Sequence, residues 1–167
     1  MDFRIIEKFS LLDFGALADV YQESILQDGE RNYPNLSYAE QQLEARQDLY
    51  NYLREVFFQT TGAICVVLEE KGIMYCSGRV EPYRDGMLIS ALETAPDYRR
   101  RGFAKILLSQ IVEHIQEKNL PLYSHIYKNN NASRRLHLAC GFTVFENYAT
   151  FLDGTVSHQA QTYCYKK

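Results

Sequence analysis

The chain has 167 residues, 46% of them hydrophobic and 23% charged, with a formal net charge of −3. These values fit one soluble globular domain spanning 1–167, with enough chain to bury a sizeable core. The acidic balance speaks against a general nucleic-acid binder, which carries a basic excess.

Residues 1–10, MDFRIIEKFS, place charges inside their apolar stretch. They read as a strand over 3–9 and not as a secretory leader. Residues 11–26 carry helical spacing through Leu12, Ala16, Val20 and Ile25. A polar loop is expected over 27–37, with Gly29 and Pro34 as breakers. Ser37 then begins a long helix, with Glu40 completing a capping box and a stripe through Leu43, Leu49 or Tyr50, Leu53 and Phe57.

The character changes at residue 63. Residues 63–94 are rich in β-branched side chains, with turn signals at Lys71-Gly72 and Asp85-Gly86. They read as three strands joined by hairpins. A strong amphipathic helix follows over 103–119, its apolar face built on Phe103, Leu107, Ile111 and Ile115. Residues 122–127 form a strand. Residues 132–140 form a short helix that Gly141 ends, and two last strands meet at Asp153-Gly154. Sequential hairpins imply antiparallel pairing, and the strand–helix–strand unit 88–127 implies one parallel crossover. The expected fold is therefore α/β (α+β): a mixed, mostly antiparallel sheet of six to seven strands with helices on its faces.

No apolar run approaches roughly 18 residues, so no membrane span is expected. Cys65, Cys76, Cys140 and Cys164 are scattered without a CxxC pair, so neither a metal site nor a redox motif is expected. Reduced thiols point to a cytoplasmic protein.

The segment Tyr98-Arg99-Arg100-Arg101-Gly102-Phe103-Ala104 lies between a strand and a helix. The first N–H groups of a helix have no intrahelical partner, and the helix dipole adds positive charge there. Such a loop suits a phosphate or pyrophosphate, although a solvated basic turn has the same composition. Gly102 lets an anion approach the backbone, Ala104 keeps the next turn open, and Arg100 and Arg101 raise the local potential. A Gly-Lys-Ser/Thr P-loop and a GxGxxG fingerprint are both absent.

This loop, with a second motif, resembles the GNAT superfamily of acyl-CoA-dependent N-acetyltransferases. The family's phosphate loop is Arg/Gln-x-x-Gly-x-Gly/Ala, and here Arg99 to Ala104 match it, after Pro96 and Tyr98. The second signature, Asn-x-x-Ala-x-x-Leu-Tyr-x-x-x-Gly-Phe, reads here Asn130, Ser133, Leu136, His137, Gly141 and Phe142. The resemblance implies a parallel crossover at a coenzyme site, with the N–H groups of residues 100–104 on the coenzyme A pyrophosphate. It implies that strand 88–94 splays from strand 122–127, with backbone groups of Leu92 and Thr94 on the pantetheine. A backbone N–H near Leu92 or Glu93 would polarise the thioester, and an amine would attack directly in a ternary complex.

An alkylammonium has a pKa near ~10 and must lose a proton first. Glu93 is the nearest candidate base. Alternation places it with Ile89 and Ala91, opposite Leu92 and Thr94. Some relatives use a carboxylate earlier on this strand, where this chain has Ser90. His137 stands where the family has a tyrosine that protonates the leaving thiolate, and is the candidate acid. Asn130 and Ser133 are expected on the coenzyme, although Asn130 also suits a helix cap. Tyr123, His125 and Tyr127 share one strand face, at the acceptor site or in the core. The implied acceptor elements are residues 27–37 and 148–160. The expected partners are acetyl-CoA and an amine of a small molecule or peptide, with neither metal, nucleic acid nor membrane, and a homodimer left open. A non-catalytic acyl-CoA-binding or sensing protein is the alternative reading.

Overall fold

The apolar run Ile64 to Leu68 alternates between two cores, because successive strand residues point to opposite faces. Ile64, Val66 and Leu68 face one helix layer, while Cys65 and Val67 face the other. A computed structural model, describing residues 1–167, shows how the chain builds this sandwich.

The order is β1 (Asp2–Ile6), α1 (Phe14–Val20), α2 (Gln22–Asn32), α3 (Tyr38–Glu55), β2 (Ile64–Glu70), β3 (Ile73–Tyr83) and β4 (Gly86–Thr94). Then come α4 (Phe103–Gln116), β5 (Leu122–Tyr127), α5 (Asn131–Ala139), β6 (Thr143–Glu146), β7 (Ala149–Thr150), β8 (Val156–Ser157) and β9 (Ala160–Tyr165). One sheet runs β1-β2-β3-β4-β5-β9-β6. Its pairs are antiparallel except β4 with β5, which is the single parallel crossover around α4. The expected fold class is the one observed.

Helix α4 buries Leu107, Leu108, Ile111, Val112 and Ile115 on one face of the sheet. Helices α1 to α3 cover the other through Leu17, Val20, Tyr21, Ile25, Ala45 and Leu53. The capping box at Ser37 and Glu40 is present, and Gly141 follows α5 with φ +90°.

Four local expectations change. Residues 27–32 are helical, since α2 runs to Asn32 through Gly29. Gly29 is there for close approach to α3: a Cβ on it would lie 2.6 Å from the Gln41 carbonyl oxygen. The helix over 11–26 is instead two helices, broken at Tyr21. Leu43 is exposed, and the buried stripe of α3 runs through Ala45 and Leu53. The strand over 143–152 is interrupted at Asn147-Tyr148, so that Asp153-Gly154 turns a two-stranded ribbon of β7 and β8, while β6 pairs with β9.

Candidate active site

β4 and β5 pair only at Met87–Leu122, Leu88–Tyr123 and Ile89–Ser124. Beyond Ile89 the two strands part, and a cleft of about 900 Å³ opens between them. β4 itself is irregular at this point. Arg79 pairs with Ser90 and Ser77 with Glu93, so Gly78 alone on β3 spans Ala91 and Leu92 on β4. This is a β-bulge, and Ala91 stands in it with a left-handed φ of +50°.

The extra residue resets the alternation. Leu92 packs with Ile89 against the α4 face, while Ala91 packs toward α1 to α3. Glu93 lies on the Ala91 side, where its carboxylate accepts a hydrogen bond from Ser24 of α2. The expectation that Glu93 shares a face with Ile89 is therefore corrected. Burial pushes the Glu93 carboxyl above the usual glutamate range, against the opposing pull of Ser24, Arg99 and Arg79.

One end of the cleft is closed by the N-terminus of α4. Asp13, Ser37 and Asn130 cap α1, α3 and α5 with side-chain acceptors, whereas α4 begins at Gly102 with none. Its first N–H groups are thus free for an external anion. Arg100 and Gly102 both have left-handed φ, +61° and +83°, which turns successive N–H groups inward as an anion nest. A Cβ on Gly102 would meet nothing within 4 Å, so open space stands in front of this backbone. These features fit a pyrophosphate.

The cleft brings together Leu92, Glu93, Thr94, Arg99, Arg100, Gly102, Phe103, Ala104, Asn130, Ser133 and His137. Arg101 is not in its wall; its guanidinium lies 5.4 Å from the Tyr98 ring. Arg99 is tied down, 2.7 Å from Glu23 of α2 and donating to the Thr94 carbonyl. Phe103 is partly buried and stacks on Tyr75 at 4.7 Å, so an apolar residue beside the anion site points into protein. Asn130 accepts from the Ser133 N–H at 3.1 Å as the cap of α5.

His137 is only 2% exposed. Its Nδ1 lies 2.8 Å from the Ser133 carbonyl oxygen, which can only accept, so Nδ1 carries the proton. Nε2 is then a bare acceptor, buried without a partner. Burial also pushes the imidazole pKa down.

Several cleft residues come from elements that no motif marks. His125 and Tyr127 line the wall, while Tyr123 is buried against Tyr83 and Leu88. Tyr83 gives its only proton to the Thr150 carbonyl at 2.7 Å, so its oxygen accepts from His125 Nε2 at 3.2 Å. A second cavity, about 320 Å³, lies on the α2 side of β4. It shares Ala91 and Glu93 with the cleft and adds Tyr21, Ser24, Asp28, Arg31 and Arg79. No helix of the protein is long and apolar enough to cross a membrane.

Comparison with known proteins agrees with this geometry. The family model described as acetyltransferase (GNAT) family matches residues 23–142, well over half of the chain. A search of curated proteins finds no match. Among solved structures, the PaiA N-acetyltransferase of Thermoplasma acidophilum, in complex with coenzyme A, superposes with TM-score 0.67 at 13% identity over 100% of both chains. The ribosomal-protein-S18-alanine N-acetyltransferase of Escherichia coli gives 0.62 at 18% identity, covering 99% of this chain and 94% of its own. The ribosomal-protein-alanine N-acetyltransferase of Brucella melitensis gives 0.63 at 18% over 100% of both. At these identities the superpositions speak for the fold. With the matched family model and the splayed β4–β5 cleft together, the chain belongs to the GNAT acetyltransferase family.

Proposed function

We propose that this protein transfers an acetyl group from acetyl-CoA to a primary amine by direct attack in a ternary complex. The observation that carries this reading is the shared wall. Ala91 and Glu93 border both the cleft that ends at the uncapped α4 and the separate cavity on the α2 side. Donor and acceptor thus reach the same two residues from opposite faces of β4, which supplies the proximity and orientation that direct transfer needs.

Acetyl-CoA, when bound, supplies the activated acetyl group. The N–H groups at residues 100–104 hold its pyrophosphate, with Arg100 adding positive charge. Leu92 and Thr94 carry the pantetheine along the unpaired part of β4. The Leu92 N–H, in the bulge, is the donor to the thioester carbonyl. Glu93 is the general base. Its raised pKa makes the carboxylate a stronger base than a solvated glutamate. Glu93 takes one proton from the ammonium, the freed amine nitrogen bonds to the acetyl carbon and the carbon–sulfur bond breaks, and the second amine proton passes to the departing sulfur, which leaves as the coenzyme A thiol.

His137 takes a different part from the tyrosine that its position suggests. With its proton committed to the Ser133 carbonyl, neutral His137 accepts at Nε2 and does not donate to the thiolate. We assign it to the coenzyme wall, where it receives the thiol proton of the product in a hydrogen bond. Asn130 and Ser133 hold the α5 side of the same wall.

Thermal shift with acetyl-CoA, dephospho-CoA and ATP tests the first half. A ligand at 100 times its Kd stabilises the fold by about 2.7 kcal/mol. A clear rise with acetyl-CoA and none with ATP is expected. Thiol release from acetyl-CoA across mixed amines tests the second half. Binding without turnover would favour the sensing role, which the protonless Nε2 of His137 also suits.

A further inference from the structure

Arg79 is the one charged side chain in the α2-side cavity without a hydrogen-bonded or ionic partner. The cavity holds two cations and two carboxylates. Arg31 is paired with Asp28, and Glu93 is bonded by Ser24. The Arg79 guanidinium takes part in none of the protein's ion pairs, which extend to 4.0 Å, and in no side-chain hydrogen bond. Half-buried guanidinium groups are normally matched by a carboxylate.

The surroundings keep it that way. The Arg79 guanidinium is stacked among Tyr21, Tyr52 and Phe57, with ring centroids 5.9, 5.3 and 6.0 Å away. Stacking uses the faces of the guanidinium and leaves its edge N–H donors available. Glu81, two residues along β3, and Glu93, across on β4, are the carboxylates whose field reaches it. Neither comes within ion-pair distance of it.

We propose that Arg79 anchors a carboxylate of the acceptor, which makes the substrate a small amino acid: carboxylate on the Arg79 fork, amine at Glu93 and the Ala91–Leu92 bulge. Arg forks and carboxylates match as bidentate pairs. A cavity of about 320 Å³ is at the small end of ligand sites, the size for a free amino acid and not for a folded protein terminus. A polyamine would need a second open carboxylate here besides Glu93, and Asp28 is engaged by Arg31.

The proposal rests on the amine-acetylation reading above, and the test separates the two. The full chain is assayed by thiol release from acetyl-CoA with free amino acids, their amides and the corresponding decarboxylated amines. Wild type is expected to favour acids over amides by about tenfold or more in kcat/KM, the worth of a charge-assisted pair. Arg79→Gln should raise KM for the acid by about ten- to a hundredfold with kcat changed only a few-fold, and Arg79→Lys should recover part of the loss. Equal or better turnover of the amides by wild type overturns the anchor alone, whether or not the variants fold. No turnover of any member by a protein that binds acetyl-CoA overturns the amine reading, and the anchor with it.

Discussion

The Tyr21 hydroxyl donates a 2.6 Å hydrogen bond to the Ala91 carbonyl oxygen. It ties the α1–α2 junction to the one residue of β4 whose backbone is left-handed. A non-glycine residue in that region costs about 1–3 kcal/mol and persists only when its surroundings hold it. Burial pushes the Tyr21 phenol well above its ordinary range, so it stays a donor.

Tyr21→Phe removes that donor and leaves the Ala91 carbonyl unsatisfied. The expected cost is about 1–2 kcal/mol in urea denaturation. Because the bulge also presents Leu92 and Glu93, turnover should fall by more than the stability loss explains. A variant destabilised to this extent but fully active at a temperature where it is folded would show that the bulge does not depend on Tyr21.

Gly102→Ala separates stability from binding. The new Cβ meets nothing within 4 Å, so the substitution costs only the strain of a left-handed alanine, about 1 kcal/mol. That Cβ stands where the phosphate has to approach. Acetyl-CoA should no longer raise the melting temperature of the variant. A shift equal to that of wild type would remove the coenzyme from the α4 N-terminus.

The loop that opens α4 was legible in the sequence because Arg99 to Ala104 are contiguous and the physics of a helix start is local. The β2-β3-β4 hairpins and the parallel β4–β5 crossover were legible because turn pairs and a strand–helix–strand unit fix which strands meet, whereas the place of β9 between β5 and β6 was not. The bulge was not, since Ile89-Ser90-Ala91-Leu92 reads as an ordinary strand and only the register against Gly78 reveals the added residue. Gly29 misled for a related reason. A glycine that ends a helix and one that admits a neighbouring helix look the same until α3 is in place. Tyr21, Ser24 and Arg79 reach the site from elements far apart in the chain, and no spacing rule links them to Glu93.

His137→Phe probes the proton that the thiolate needs. A phenyl ring fills the imidazole's place against Phe142, whose ring centroid is 5.0 Å away. It removes the Nε2 acceptor and also the bond to the Ser133 carbonyl. With His137 as coenzyme wall, KM for acetyl-CoA rises several-fold and kcat stays within about threefold. A fall in kcat of about a hundredfold or more, the scale for loss of an acid–base catalyst, would make His137 the acid.

Glu93→Gln carries two signatures of opposite sense in pH. Activity needs the carboxylate, so the wild-type rate should rise with pH through a value above the ordinary glutamate range. The variant should lose that limb and fall by about a hundredfold or more. Stability runs the other way. A folded pKa above the unfolded one means that the native state holds the extra proton between the two values. The contribution is full below the unfolded pKa and is lost as pH rises through the folded one. Wild type should therefore lose stability relative to Glu93→Gln as pH climbs through and above the ordinary glutamate range, read by urea denaturation at several pH values. His137 contributes with the contrary sign, since its depressed pKa costs stability below the ordinary histidine range, so the difference between the two proteins is the quantity to follow. A difference that does not change with pH would mean that Glu93 stays ionised in the fold and is no better poised as a base than a surface carboxylate.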